Sequence, residues 1–116
     1  MSDQARDERI ALNEARFREI NDRVRDDLAD LHEPPELIGF VCECGHLDCR
    51  GQIELTDGEY ASVRSDPMQF AVVPGHEMPE AEDVVERAER FTIIRKHENV
   101  RGIVESTDPR GGGASG

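Results

Sequence analysis

Three cysteines fall within eight consecutive positions of the stretch FVCECGHLDCRG, Phe40 to Gly51. Their spacing is C-x-C-x(4)-C: Cys42, Cys44 and Cys49, and the chain has no others. A thiolate is a soft anionic donor, and sulfurs gathered on one short turn can converge on a single ion. Among the metals a cell supplies, that donor set favours zinc. The nearest physical analogue is the knuckle of a zinc ribbon, where a strand end and a tight turn offer thiolates together. Gly45 and Gly51 flank the turn and let the backbone curl until its amides face the sulfurs. Three sulfurs leave one tetrahedral position open.

Two histidines compete for that position. His46 lies inside the knuckle, where local geometry points it away from an ion already held by Cys44. His76, in VVPGHE, follows a predicted strand and a Pro-Gly turn, a placement that delivers a ligand from across a sheet. His76 is the preferred fourth donor of a Cys3His site. His32 and His97 read as solvent-exposed bystanders. Two other uses of the thiols compete with zinc. Neighbouring thiols can oxidise to a disulfide in a metal-free or zinc-thiolate redox switch. Iron–sulfur ligation is weaker, because most clusters take four cysteines.

Hydrolytic zinc would need an open coordination position and a nearby acid or base, for which Glu43 and Glu77 are the candidates. A deaminase arrangement fails on order, since Cys42-Glu43-Cys44 lacks the second C-x-x-C. No HExxH, Gly-rich phosphate loop or Ser-centred elbow is present. The motifs therefore favour a binding protein with structural zinc over a catalyst.

The elements that must position these donors can be read from periodicity. Residues 5–32 predict one long helix. Ile10, Phe17, Val24 and Leu31 recur every seven residues, with Ile20 and Leu28 widening the stripe. Glu14/Arg18 and Glu19/Arg23, at i,i+4 spacing, occupy the opposite, solvent face in this reading. Pro34-Pro35 stops the helix. The stripe either lies on the domain's sheet or pairs with a second copy, although Asn13 and Asp27 interrupt the second seam position. Leu37–Cys42 then reads as a buried strand, and Gln52–Leu55 as an alternating one. Thr56 and Glu59 have capping-box spacing for a short helix presenting Tyr60 and Val63. Gln69–Val73 reads as a strand closed by Pro74-Gly75. Residues 83–97 predict a hairpin, and 100–105 a last strand. The acidic segment 77–89 reads as a solvated face.

The expected class is α+β: a long N-terminal helix, then a small, mainly antiparallel sheet with a zinc-ribbon-like knuckle and one short helix. Residues 1–36 form the helix and Pro linker, 37–108 the metal-binding unit, and 109–116 a flexible Gly-rich tail.

The stretch FVCECGHLDCRGQIELTDGEY…VVPGHE, preceded by NEARFREINDRV, resembles a group of small, uncharacterised bacterial proteins, mostly actinobacterial. They share a long helix, a C-x-C-x(4)-C segment, an ELT-x(2)-EY segment and a PGHE segment in this order. The likeness runs from Asn13 to Arg110. It implies a compact metal-binding domain with Cys42, Cys44, Cys49 and His76 at the matching positions, and it lends no reaction.

Bulk properties narrow the partners. The 116 residues are 36% hydrophobic and 34% charged, with a formal net charge of −12. Residues 1–36 carry eleven acids against six arginines, leaving fifteen acids and eight bases beyond them. Neither part attracts a nucleic-acid backbone or an anionic membrane. A protein partner, or self-association through the helix, fits better. No leader-like apolar segment opens the chain, so the expected compartment is cytoplasmic, where clustered cysteines serve as ligands before disulfides. An interior so poor in aromatics needs a staple, and the metal supplies one.

Overall fold

The computed structural model describes residues 3–28, 31, 36–46 and 48–109. Its class is α+β. Helix α1 spans Asp3–Leu28, a run without Gly or Pro in which Arg, Ala and Glu supply good helix formers. Pro34-Pro35, His32 and the tail beyond 109 lie outside the described residues. Strands β1 (Leu37–Val41) and β2 (Gln52–Thr56) pair antiparallel, Leu37 opposite Thr56 and Val41 opposite Gln52. Helix α2 (Asp57–Arg64) follows at once. Thr56 accepts the Glu59 amide and Glu59 accepts the Thr56 amide, so the predicted capping box is present.

Strands β3 (Gln69–Val72), β4 (Glu82–Arg87) and β5 (Thr92–Lys96) form a second antiparallel sheet in the order β3-β5-β4. The hairpin predicted over 83–97 is thus β4–β5, with an irregularity between Val84 and Glu86. The segment after β1 joins the two sheets: Glu43 N donates to Ala71 O of β3.

Three expectations are corrected. The strand expected at 100–105 is a helix, α3 (Arg101–Ser106), entered through a 3-10 turn at Glu98–Val100. It buries Val100 and Val104 against Met68 and Phe70, a helical spacing that β-branched composition disguises. The chain therefore has a second short helix beyond α2. Strand β1 is not buried on both faces: Ile38 and Phe40 point in, while Leu37 and Gly39 are exposed.

The third correction concerns α1. Its inward face carries Asp7, Ala11, Glu14, Ala15, Arg18, Asn21 and Asp22, so of the two pairs expected on the solvent face Glu14/Arg18 is buried, while Glu19/Arg23 is exposed as expected. Glu14 and Arg18 are each 0% exposed, whereas Ile20 of the apolar stripe is 45% exposed. Leu31, at 74%, is more exposed still. The remainder of the stripe flanks the contact: Val24 and Leu28 pack at the edge of the Phe40–Tyr60 cluster.

Burying these polar groups requires partners, and each has one from far along the chain. Arg18 donates to Pro67 O and Val104 O, each at 2.8 Å, with its guanidinium over the Phe70 ring. Asp22 takes two hydrogen bonds from Arg64, whose guanidinium also binds Asp108. Lys96, the only lysine, is 1% exposed. Its Nζ lies 3.0 Å from Glu82 Oε1 and 3.1 Å from Glu14 Oε1. The first is an aligned hydrogen bond, and the second is an ion-pair approach without that alignment. Glu82 is thus an interior residue within a segment expected to be solvated.

One ammonium cannot neutralise two buried carboxylates. Burial, then the Glu82 charge, pushes the Glu14 carboxyl well above its ordinary value. A raised folded value means that this stabilisation is complete below the unfolded value near 4.5 and declines as pH rises through the folded one. Glu14→Gln mimics the protonated acid. Its urea midpoint relative to the unsubstituted protein should therefore rise as pH climbs above the unfolded value near 4.5. A difference that stays flat above that value would show that Glu14 is ionised throughout.

Candidate metal centre

The knuckle is the loop between β1 and β2. Cys42 N donates to Gly51 O at 3.0 Å, continuing the hairpin ladder one step beyond Val41. Cys49 N donates to His46 O at 3.1 Å and closes the turn. A methyl group on Gly51 would come within 2.8 Å of Val73 Cγ2 and 3.4 Å of Cys49 Sγ, so this position must lack a side chain.

His76 arrives from the other sheet. Its amide donates to Val73 O at 2.9 Å, closing a four-residue turn with Pro74 second and Gly75 third. Gly75 has φ +95°, as the third residue of a type II turn requires. The turn carries the His76 ring back to the knuckle. Its Nδ1 stands 3.6 Å from both Cys42 Sγ and Cys49 Sγ. The three sulfurs and one imidazole nitrogen all lie within 4.8 Å of one another, close enough to bind a metal ion. His46 is exposed, and His97 Nε2 lies 3.3 Å from Asp83.

The separations can be set against an ion's needs. Bonds of about 2.3 Å to sulfur and about 2.05 Å to nitrogen, at tetrahedral angles, place S and N about 3.6 Å apart. The two S···N distances match, and the full donor set lies close enough for a Cys3His ion. Backbone donors also face the sulfurs: Val73 N to Cys42 Sγ at 3.1 Å, and Gly51 N to Cys49 Sγ at 3.3 Å. Such N–H groups stabilise thiolate over thiol. The hydrogen bond from Cys42, with help from the His46 amide, lowers Cys44 to about 4. The same bond to Cys44, then burial, pushes Cys42 up. No cysteine of the three is in a disulfide.

Burial is uneven across the cluster. Cys42 and Cys44 sit in the core beside Phe70 and Val72, at 2% and 0% exposure. Cys49 and His76 are half-buried and line a cleft of about 600 Å³ with His46, Asp48, Arg50 and Glu77.

Glu43, between the first two cysteines, turns the opposite way. It is 0% exposed; Oε1 accepts the Ala71 amide, and Oε2 accepts Asn21 Nδ2 and the Tyr60 hydroxyl, both at 2.8 Å. Asn21 also exchanges two hydrogen bonds with the Val41 backbone. Tyr60 stacks on Phe40 with ring centres 4.4 Å apart. Glu43 is a structural anchor joining the knuckle to α1, α2 and β3, not an acid or base beside the metal centre. The sequence signal for this was its alternation with Cys42 and Cys44 in an extended segment, which puts it on the other face. Glu77 accepts the Gly75 amide and pairs with Arg87, which braces the turn that carries His76.

In comparisons with family models, curated proteins and solved structures, nothing matches this chain.

Proposed function

We propose that the protein is a small zinc-binding domain whose ion is structural, held by Cys42, Cys44, Cys49 and His76. The observation that carries this reading is the pair of 3.6 Å separations from His76 Nδ1 to two sulfurs, within a four-donor cluster spanning no more than 4.8 Å. Sulfur donors favour zinc over the oxygen-seeking cations, and four protein donors fill a tetrahedral shell, as in structural sites. When bound, the ion supplies a cross-link between the two sheets. The chain's own residues do the rest: Gly51 and Val73 amides orient the thiolates, and Gly75 turns the ring toward them. Membership of the actinobacterial group that shares these segments belongs to the same proposal.

The wider role in this reading is a protein-interaction or regulatory module of the cytoplasm, where the three thiols remain reduced. Leu12 and Ile20, each 45% exposed on the outer face of α1, support a contact role for that helix, with a protein partner or with a second copy. Among the described residues, no helix is long and apolar enough to cross a membrane.

Elemental analysis of the purified protein tests the reading. About one zinc per chain is expected, and His76→Ala should lose it during dialysis against a mild chelator. An unsubstituted chain that takes up no zinc, or a His76→Ala variant that holds it equally well, would refute the ligand set.

A further inference from the structure

The four donors do not share one environment. Cys42 and Cys44 are sealed in the core, at 2% and 0% exposure, whereas Cys49 faces the cleft beside the His76 ring. An incoming small molecule therefore meets one sulfur of the three. Cys49 also lies within 4.8 Å of the other two, so chemistry at its sulfur has an immediate thiolate neighbour. Arg50 adjoins it on the cleft wall and favours the approach of a reagent that leaves as an anion.

From this arrangement we infer that Cys49 is the entry point for oxidative release of the ion, with hydrogen peroxide or a small hydroperoxide as co-reactant. The inference deepens the zinc reading and rests on it. In the first step the Cys49 thiolate attacks the peroxide oxygen. An S–O bond forms, the O–O bond breaks, and hydroxide leaves to be protonated as water. Cys49 becomes a sulfenic acid. In the second step the thiolate of Cys44 or Cys42 attacks that sulfur, an S–S bond forms, and a second hydroxide departs. Two thiolates, one peroxide and two protons have become one disulfide and two waters, and the two electrons have passed from sulfur to oxygen. One cysteine and His76 are then left, too few donors to retain zinc against a cell's competing ligands.

Release unties the knuckle from the His76 turn and loosens the seam between the two sheets, which the Glu43–Ala71 hydrogen bonds still bridge. The proposed regulation is a loss of that cross-link under peroxide, which converts oxidant level into a change of shape.

The test uses the zinc-loaded full chain, hydrogen peroxide, a zinc-sensitive dye and peptide mapping. Release of about one zinc per chain is expected, together with a disulfide that includes Cys49. A brief pulse of N-ethylmaleimide on the loaded protein should label Cys49 at least about tenfold faster than Cys42 or Cys44, a preference lost in denaturant. Zinc that stays bound under excess peroxide overturns the inference, as does first reaction at Cys42 or Cys44. Those failures differ from failure of the underlying reading: a chain that binds no zinc refutes the Cys3His site itself, and the oxidation scheme with it. A chain that binds one zinc but is inert to peroxide refutes this scheme alone.

Discussion

Chelating the metal from the zinc-loaded protein is expected to abolish its cooperative thermal transition above room temperature, or to lower the midpoint by more than about 20 °C. The magnitude follows from two comparable quantities. Structural zinc contributes about 10–16 kcal/mol of apparent binding energy in small domains, whereas a whole domain's stability is about 5–15 kcal/mol. The contribution is realised here because the donors come from two segments of separate sheets, the β1–β2 loop and the turn after β3. Without the ion, Cys42 and Cys44 stay buried beside Phe70 and Val72. What disappears is the link. Far-UV circular dichroism during heating, on protein shown to be metal-free, measures the effect. A metal-free chain melting within about 5 °C of the loaded one would mean that packing and the Glu43–Ala71 hydrogen bonds hold the two sheets together without the ion.

The second large effect is expected at Glu43, a residue whose neighbours Cys42 and Cys44 draw attention away from it. Glu43→Ala removes the acceptor for three buried donors at once: the Ala71 amide, the Asn21 side chain and the Tyr60 hydroxyl. A buried donor left without an acceptor costs about 1–3 kcal/mol, and relaxation recovers part of the sum. A net loss of about 3–5 kcal/mol is expected, a large share of a domain's total stability. The comparison is Glu54→Ala on the exposed face of β2, which should change stability by less than about 0.5 kcal/mol. Urea midpoints of both variants in saturating zinc separate the network's contribution from the metal's. If Glu43→Ala unfolds at the same urea concentration as Glu54→Ala, the Glu43 network contributes nothing net to stability.

These two expectations concern different kinds of information in the chain. The thiol cluster was legible because cysteines within eight positions can converge on one ion whatever surrounds them. The turn that brings His76 was legible because Pro74-Gly75 dictates its own backbone geometry, realised at Gly75 with φ +95°. The helix start at Thr56 was legible for the same reason, since the capping box is complete within four residues. The β4–β5 hairpin followed from β-branched runs on either side of a polar turn. In each case the deciding contacts lie within a few residues.

The face that α1 turns inward was decided otherwise. Periodicity selected Ile10, Phe17, Ile20 and Val24, because apolar side chains usually mark the buried stripe. The chain instead buries Glu14, Arg18, Asn21 and Asp22, which is tolerable only because Lys96, Val104 O, Glu43 and Arg64 meet them there. Those partners lie 22 to 86 residues away, so no window on the helix contains them. The same holds for α3, whose Val104 presents a carbonyl to Arg18 and a side chain to Phe70. Composition alone favours a strand for that segment. Local chemistry thus determined which atoms can hold a metal and which turns deliver them. Tertiary structure alone decided where the charges go, because a buried charge is stable only beside a partner that folding brings to it.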